Sequence, residues 1–259
     1  MPSAARARSH VEIAGHQLEV IVPQPPEPGS RWAVYLHEGL GSAGQWRDFP
    51  SRVAALTGCG TLVYSRWGYG GSEPRRTPWP DDFMTPEALD TLPALLAHFG
   101  VRRPVLVGHS DGATIALRFA AAFPDACAGL VAIAAHVMSE DATGSSIRAA
   151  RQRFLDGPLR DVLRRQHGHH ADDTALGWSE AWLRVGAWDM RPVLAAIRCP
   201  VLVVQGRDDE FGTLGQVDAI VRGVGGTVAS LVLDRCGHAP HREKPKAVLA
   251  AVTRFIQQL

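Results

Sequence analysis

Pro104-Val105-Leu106-Val107-Gly108-His109-Ser110-Asp111-Gly112-Ala113 is the stretch on which the fold of this 259-residue chain turns. A short apolar run ends on a Gly-x-Ser-x-Gly pentapeptide, and an alanine-rich amphipathic segment, Ala113–Phe123, begins at once. The pentapeptide alone is common by chance, and the strand–turn–helix setting is what makes it specific. In that setting, glycines at 108 and 112 let strand and helix cross closely. The serine is thrust out on a sharp turn, where a helix N-terminus favours developing negative charge. A serine before a helix can also serve as an N-cap. The paired glycines and the preceding strand favour a nucleophile elbow, with Ser110 as the attacking group.

Working outward, further apolar runs occur at Trp32–Leu36, Thr61–Tyr64, Leu130–Ala134, Val201–Val204 and Val228–Leu233. They are nearly continuous rather than alternating, as expected of parallel strands buried on both faces. Between them lie amphipathic stretches, Pro86–Phe99, Leu214–Val224 and Pro245–Leu259 among them. Such alternation predicts an α/β fold with a mostly parallel central sheet and helices on both faces. Ahead of it, His10–Ile13 and Gln17–Val22 read as a hairpin about Ala14-Gly15-His16, and Pro23–Gly29 as a proline-rich surface loop.

One segment breaks this rhythm. From Ser139 to Ile197 no central strand is legible, while Trp178, Trp182, Trp188 and several arginines appear. The chain therefore divides into a core domain, 1–138 and 198–259, and a helical cap, 139–197, inserted before the strand at Val201. Ligands of open α/β sheets bind at the strand C-termini, which is where such a cap would sit. Trp178 and Trp182 are candidate substrate contacts, with packing of the cap's own helices as the bland alternative. Arg148, Arg151, Arg153 and Arg184 fit either an anionic group on the substrate or a solvated helix face.

A serine hydroxyl needs a base, and the base needs an orienting acid. Val201–Gln205 is followed by Gly206-Arg207-Asp208-Asp209, which places an acid just after a strand. Ser230–Leu233 is followed by Asp234-Arg235-Cys236-Gly237-His238, which places a histidine just after the next. Both fall on the sheet edge that carries Ser110, in the chain order serine, acid, histidine. His238 is preferred to the other histidines for that placement. His167, His169 and His170 look like a metal cluster, but no carboxylate stands at ligand spacing, so they read as a surface loop and no metal is expected. For the oxyanion hole, one backbone N–H should come from Asp111. The other should come from Glu38-Gly39-Leu40-Gly41, with Gly39 preferred and Leu40 second.

Composition removes other classes. With 46% hydrophobic residues the chain has material for a large core, and with 27 basic against 26 acidic residues it carries no basic stripe for nucleic acid. Met1–His10 is followed by no apolar core, so neither a signal peptide nor a membrane span is read, although Ala4–Arg8 has a faint transit-peptide character. Cys59, Cys127, Cys199 and Cys236 are scattered, which suits free thiols in the cytoplasm. No cofactor is implied, and the expected partner is a small-molecule substrate. Oligomeric state is not legible.

Taken together, these residues resemble the α/β-hydrolase superfamily over nearly the whole chain. The matching pieces are His37-Glu38-Gly39, Gly68-Tyr69-Gly70-Gly71-Ser72, Gly108–Gly112, Gly206-Arg207-Asp208-Asp209 and Cys236-Gly237-His238, followed by Glu243 and Pro245. The resemblance is greatest to small capped bacterial members such as meta-cleavage-product hydrolases, enol-lactonases and carboxylesterases. It implies that the acid is Asp209, with Asp208 left to hydrogen-bond its loop. It also implies hydrolysis of a small ester, lactone, thioester or activated C–C bond through a Ser110–His238–Asp209 triad and an acyl-enzyme. Cofactor-free perhydrolase or haloperoxidase chemistry keeps the same triad, and a ligand-binding receptor of this fold is the alternative from another class. Three positions depart from the family: Glu38 stands where glycine is usual, and Ser65 and Trp67 stand where Asp and Arg are common. Glu38 is expected either to touch substrate or to pair with an arginine such as Arg66.

Overall fold

The computed structural model describes residues 8–259. Residues 1–7, which carry most of the Ala4–Arg8 segment, lie outside the described residues. In chain order the strands are β1 Arg8–Ile13, β2 His16–Gln24, β3 Trp32–Leu36, β4 Gly60–Tyr64, β5 Val105–His109, β6 Gly129–Ile133, β7 Val201–Gly206 and β8 Val228–Leu233. The α-helices are α1 Phe49–Thr57, α2 Met84–Pro86, α3 Leu92–His98, α4 Asp111–Ala122, α5 Asp141–Leu155, α6 Pro158–His167, α7 Ala171–Arg184, α8 Leu214–Gly223, α9 Pro240–Glu243 and α10 Pro245–Gln257.

All eight strands form one sheet in the order β1-β2-β4-β3-β5-β6-β7-β8. Pairing is parallel from β4 through β8, while β1 and β2 join antiparallel at one edge. Strands β4, β5, β6 and β7 are buried at every position, which is why they read as unbroken apolar runs. One face packs Leu62, Leu106, Leu130 and Val203 against α3, α4 and part of the segment between β6 and β7. The other packs Tyr35, Val107, Val131 and Val204 against α1 and α10. Helix α4 is enclosed on nearly every side, which explains its alanines: small side chains let it lie close under β5.

The first hairpin is tighter than expected. Ala14 and Gly15 alone form the turn, both at positive φ, and His16 already pairs with Ile13. The strand expected to stop at Val22 runs on to Gln24, which pairs with Thr61, so the proline loop begins later than its composition suggests. The helix expected over Pro86–Phe99 is interrupted by a π-helical turn at Glu87–Thr91 before α3. The four cysteines are buried free thiols.

Chain order reverses between β3 and β5, because β4 lies on one side of β3 and β5 on the other. Loops leaving these two strands diverge, opening the crevice in which α/β sheets place their ligands. The loop after β3 (residues 37–41) and the elbow after β5 border it. Helices α5, α6 and α7 lie between β6 and β7, in the segment read from sequence as an insertion, and the Thr174 hydroxyl of α7 donates to the Gly68 carbonyl.

Candidate active site

Register places Ser110. Leu36 on β3 faces Gly108 on β5, Gly108 faces Ala132 on β6, and the Ser110 amide donates to the Ile133 carbonyl at 2.8 Å. Ser110 then turns the chain with φ 52° and ψ −120°, a left-handed conformation rare for a residue with a Cβ. The neighbouring glycines are required by contact: a Cβ at Gly108 would overlap the Gly112 carbonyl, and one at Gly112 the Leu36 carbonyl. Strand and helix therefore cross backbone to backbone, and the Ser110 side chain is left facing the crevice.

His238 meets it from the loop after β8. Its Nε2 lies 2.9 Å from Ser110 Oγ, and its Nδ1 lies 2.9 Å from both carboxylate oxygens of Asp209. A carboxylate only accepts, so Nδ1 carries the hydrogen and Nε2 is free to accept from the serine hydroxyl. Asp209 is itself held from three directions. Gln205 Nε2 donates to Oδ2 at 2.7 Å, and the Phe211 and Gly212 amides donate to Oδ1. Burial opposes its charge, but the His238 ring, the Phe211 amide and nearby His136 together hold the carboxyl below its ordinary range. Asp208 is exposed, and its amide donates to the Cys236 carbonyl at 2.9 Å. The His238 loop is pinned by Glu243, which accepts from the amides of Gly237 and Ala239 on either side.

Asp111 and Gly39 are the two residues expected to supply oxyanion amides. Asp111 is the first residue of α4, whose opening amides have no acceptor within the helix. In the loop after β3, Gly41 donates to the Glu38 carbonyl, which makes a tight turn with Gly39 inside it. Leu40 is half-buried and uses its carbonyl to hold the insertion, accepting from Gln166 at 2.8 Å and from His167 at 3.1 Å.

Trp178 and Trp182, candidate substrate contacts, are one helical turn apart on α7 and both buried. Their indole N–H groups donate to the two oxygens of the Asp111 carboxylate, at 3.0 Å and 3.1 Å. The Trp178 ring also lies directly over Gly39, where a Cβ would overlap its indole nitrogen. Burial lifts the Asp111 carboxyl above its ordinary range, opposed by Arg66 at 3.9 Å and by the two indoles.

Glu38 pairs with an arginine, as the sequence suggested, but the arginine is Arg242 rather than Arg66. Arg66 is fully buried beneath the loop, donates to the backbone carbonyls of His37 and Glu38, and stacks on the Tyr69 ring. The Glu38 carboxylate turns the other way, to Arg242 on α9 at 3.2 Å and to His109 Nδ1 at 3.4 Å. Trp67 stacks on His16 with centroids 3.7 Å apart.

The histidine run also differs from expectation. His169 is exposed, but His167 and His170 are buried where α6 and α7 meet the core. His167 Nδ1 accepts from the Gly70 amide at 2.9 Å, and His170 Nε2 donates to the Gly70 carbonyl at 3.1 Å. A polar tract read as a surface loop is thus an interface between insertion and core, satisfied by backbone groups 97 and 100 residues away. Among the described residues no group of three or more His, Cys, Asp and Glu could hold a metal ion. No helix among them is long and apolar enough to cross a membrane.

Two of the four candidate arginines, Arg151 and Arg184, are ion-paired. Arg151 meets Glu180 at 3.4 Å, and Arg184 meets Asp81 at 2.8 Å. Arg148 lines a cavity of about 130 Å³ with Glu140, Ile147, Trp182 and Trp188. Sequence reasoning missed His109, His136, Gln205 and Arg242. Only His109, inside the elbow, stood in a motif that could have drawn attention to it.

Residues 33–252 match the model of the alpha/beta hydrolase family. The chain belongs to that family. This alpha/beta hydrolase is 27% identical to a 2-succinyl-6-hydroxy-2,4-cyclohexadiene-1-carboxylate synthase of Klebsiella pneumoniae, over 89% of this chain and 95% of the relative. It is 23% identical to a 2-hydroxy-6-oxo-6-phenylhexa-2,4-dienoate hydrolase of Comamonas testosteroni, over 87% of each chain. In three dimensions the hydrolase resembles an esterase from Thermogutta terrifontis, with a TM-score of 0.74 and 19% identity over 97% of this chain and 98% of that one. The expected fold class and family are those observed.

Proposed function

We propose that this alpha/beta hydrolase cleaves a small ester, lactone, thioester or activated C–C bond by nucleophilic attack from Ser110. The observation that carries this reading is the continuous hydrogen-bonded line from Ser110 Oγ through His238 to Asp209, each contact at 2.9 Å. In the first half-reaction His238 takes the serine proton as Oγ attacks the carbonyl carbon, while Asp209 orients the ring and stabilises the imidazolium. The carbonyl oxygen becomes an oxyanion facing the amides of Asp111 and Gly39. His238 then protonates the leaving group, leaving an acyl-enzyme. In the second half-reaction water attacks that ester with His238 again as base, and the acid leaves as Ser110 is restored.

The segment 139–197 acts as the cap in this reading, because α7 lays Trp178 and Trp182 over the elbow and the loop after β3. Ser110 is only 7% exposed, which suits a small substrate shielded from bulk water. Hydrolysis of short nitrophenyl esters by wild type and Ser110→Ala tests the proposal. Wild type should turn over and the variant should lose at least about a thousandfold in kcat, the scale set by removing a nucleophile. Equal rates in two folded samples would overturn it.

A further inference from the structure

The geometry points to a second buried relay behind the triad, in which Glu38 and a doubly protonated His109 act as positioning residues that hold the backbone of His238. This rests on the reading of His238 as the general base. His109 lies at the end of β5, inside the elbow, and its Nε2 is 2.7 Å from the His238 carbonyl oxygen. A carbonyl only accepts, so that nitrogen carries a hydrogen. The opposite nitrogen, Nδ1, is enclosed and lies 3.4 Å from Glu38 Oε2, an ion-pair separation rather than a tight hydrogen bond. Arg242 meets the other oxygen of Glu38. A lone pair on Nδ1 would face a carboxylate, and a hydrogen there instead makes an attractive pair. Both ring nitrogens are therefore N–H, and His109 bridges Glu38 to the loop of the catalytic histidine.

The surroundings fit this assignment. Burial opposes ionisation of Glu38, yet the His109 ring and the Arg242 guanidinium outweigh it and hold the carboxyl well below its ordinary range. The groups facing His109 are Glu38, the His238 ring at 5.2 Å and the His241 ring at 4.7 Å between centroids. His238 in turn faces Asp209, Ser110 and His136, with Asp111 within electrostatic reach. His241 is buried against Trp46 and Phe49 and held well below its ordinary range by burial and by His109, so it offers no competing charge. Glu38 thereby acquires a role on the side of the loop away from substrate: it supports the base rather than selecting the ligand. The departure from the usual glycine, legible in the sequence, pairs with the histidine at the second position of the elbow.

The test is a nitrogen–proton correlation spectrum of the imidazoles in uniformly labelled protein at pH 7. Wild type should show one ring with both nitrogens protonated, absent from His109→Gln. In Glu38→Gln the same ring should keep Nε2–H and lose Nδ1–H, which also supplies the assignment should His109→Gln not fold. With an ester substrate, Glu38→Gln should lower kcat about three- to tenfold with KM little changed, since the effect falls on the base and not on binding. A lone pair on His109 Nδ1 in wild type, or a Glu38→Gln spectrum identical to wild type, would overturn the proposal. The spectrum needs no turnover, so its outcome stands apart from that of the Ser110 experiment.

Discussion

Replacing Trp178 or Trp182 by phenylalanine removes one N–H from Asp111 while keeping an aromatic ring in place. Each indole donates to a different oxygen of a carboxylate that is 1% exposed, at 3.0 Å and 3.1 Å. Hydrogen bonds to charged groups contribute about 1.5–3 kcal/mol, and a buried acceptor left unmatched keeps its desolvation penalty. Each single variant should therefore lose about 1.5–3 kcal/mol of unfolding free energy. The double variant should depart from additivity, because both bonds end on one carboxylate. Urea titration with linear extrapolation reads these values directly. Activity supplies an independent readout, because Asp111 follows the proposed nucleophile and its amide is proposed to face the oxyanion. Loosening its side chain should lower kcat more than it raises KM. Two single variants within about 0.5 kcal/mol of wild type, the range of a neutral surface substitution, would show that the indole N–H groups do not stabilise the Asp111 carboxylate.

Other expectations follow from the same contacts. Gly39→Ala should displace the Trp178 ring, because the new Cβ overlaps the indole nitrogen; overpacking of this kind costs about 1–3 kcal/mol, measurable in the same titration. His167 accepts the Gly70 amide on a ring that burial holds down to about 4. Below its ordinary value near 6.5 the unfolded chain takes up a proton that the folded chain does not, so stability falls as pH drops from about 6.5 to about 4 and this contribution then levels off. The full effect is ~3 kcal/mol, and His167→Gln should remove it from the pH dependence of the urea midpoint while leaving other titrations in place. Asp209→Asn should keep the fold but lower kcat by roughly ten-thousandfold, the scale known for loss of an orienting acid, and near-wild-type turnover would exclude Asp209 from the triad.

The parts legible in the sequence are those written in local pattern. Unbroken apolar runs marked strands covered on both faces, and the glycines at 108 and 112 marked a backbone crossing that the structure shows to be sterically obligatory. An acid at Asp208 or Asp209 and a histidine at His238 could be read because each follows a strand closely, so the parallel sheet brings them to the Ser110 edge; the choice of Asp209 over Asp208 came from the family resemblance. Contacts between the insertion and the core were not legible. His167 and His170 sit in a tract whose local chemistry is that of a solvated loop, and only the fold supplies Gly70 and Leu40 as partners. Glu38 illustrates the same limit: its arginine partner is Arg242, 204 residues away on a four-residue helix, while the nearby Arg66 is taken up by backbone carbonyls. Trp178 and Trp182 carried the right spacing for a shared face of one helix, but nothing local announces that both end on Asp111.

If Ser110 is an activated nucleophile, covalent labelling should report it. Folded protein is treated with a fluorophosphonate and the adduct is mapped by peptide mass spectrometry. A single adduct is expected on the peptide bearing Ser110, formed quickly in wild type and strongly slowed in His238→Ala. Absence of any adduct on Ser110 in folded wild-type protein, or labelling that ignores His238, would contradict it.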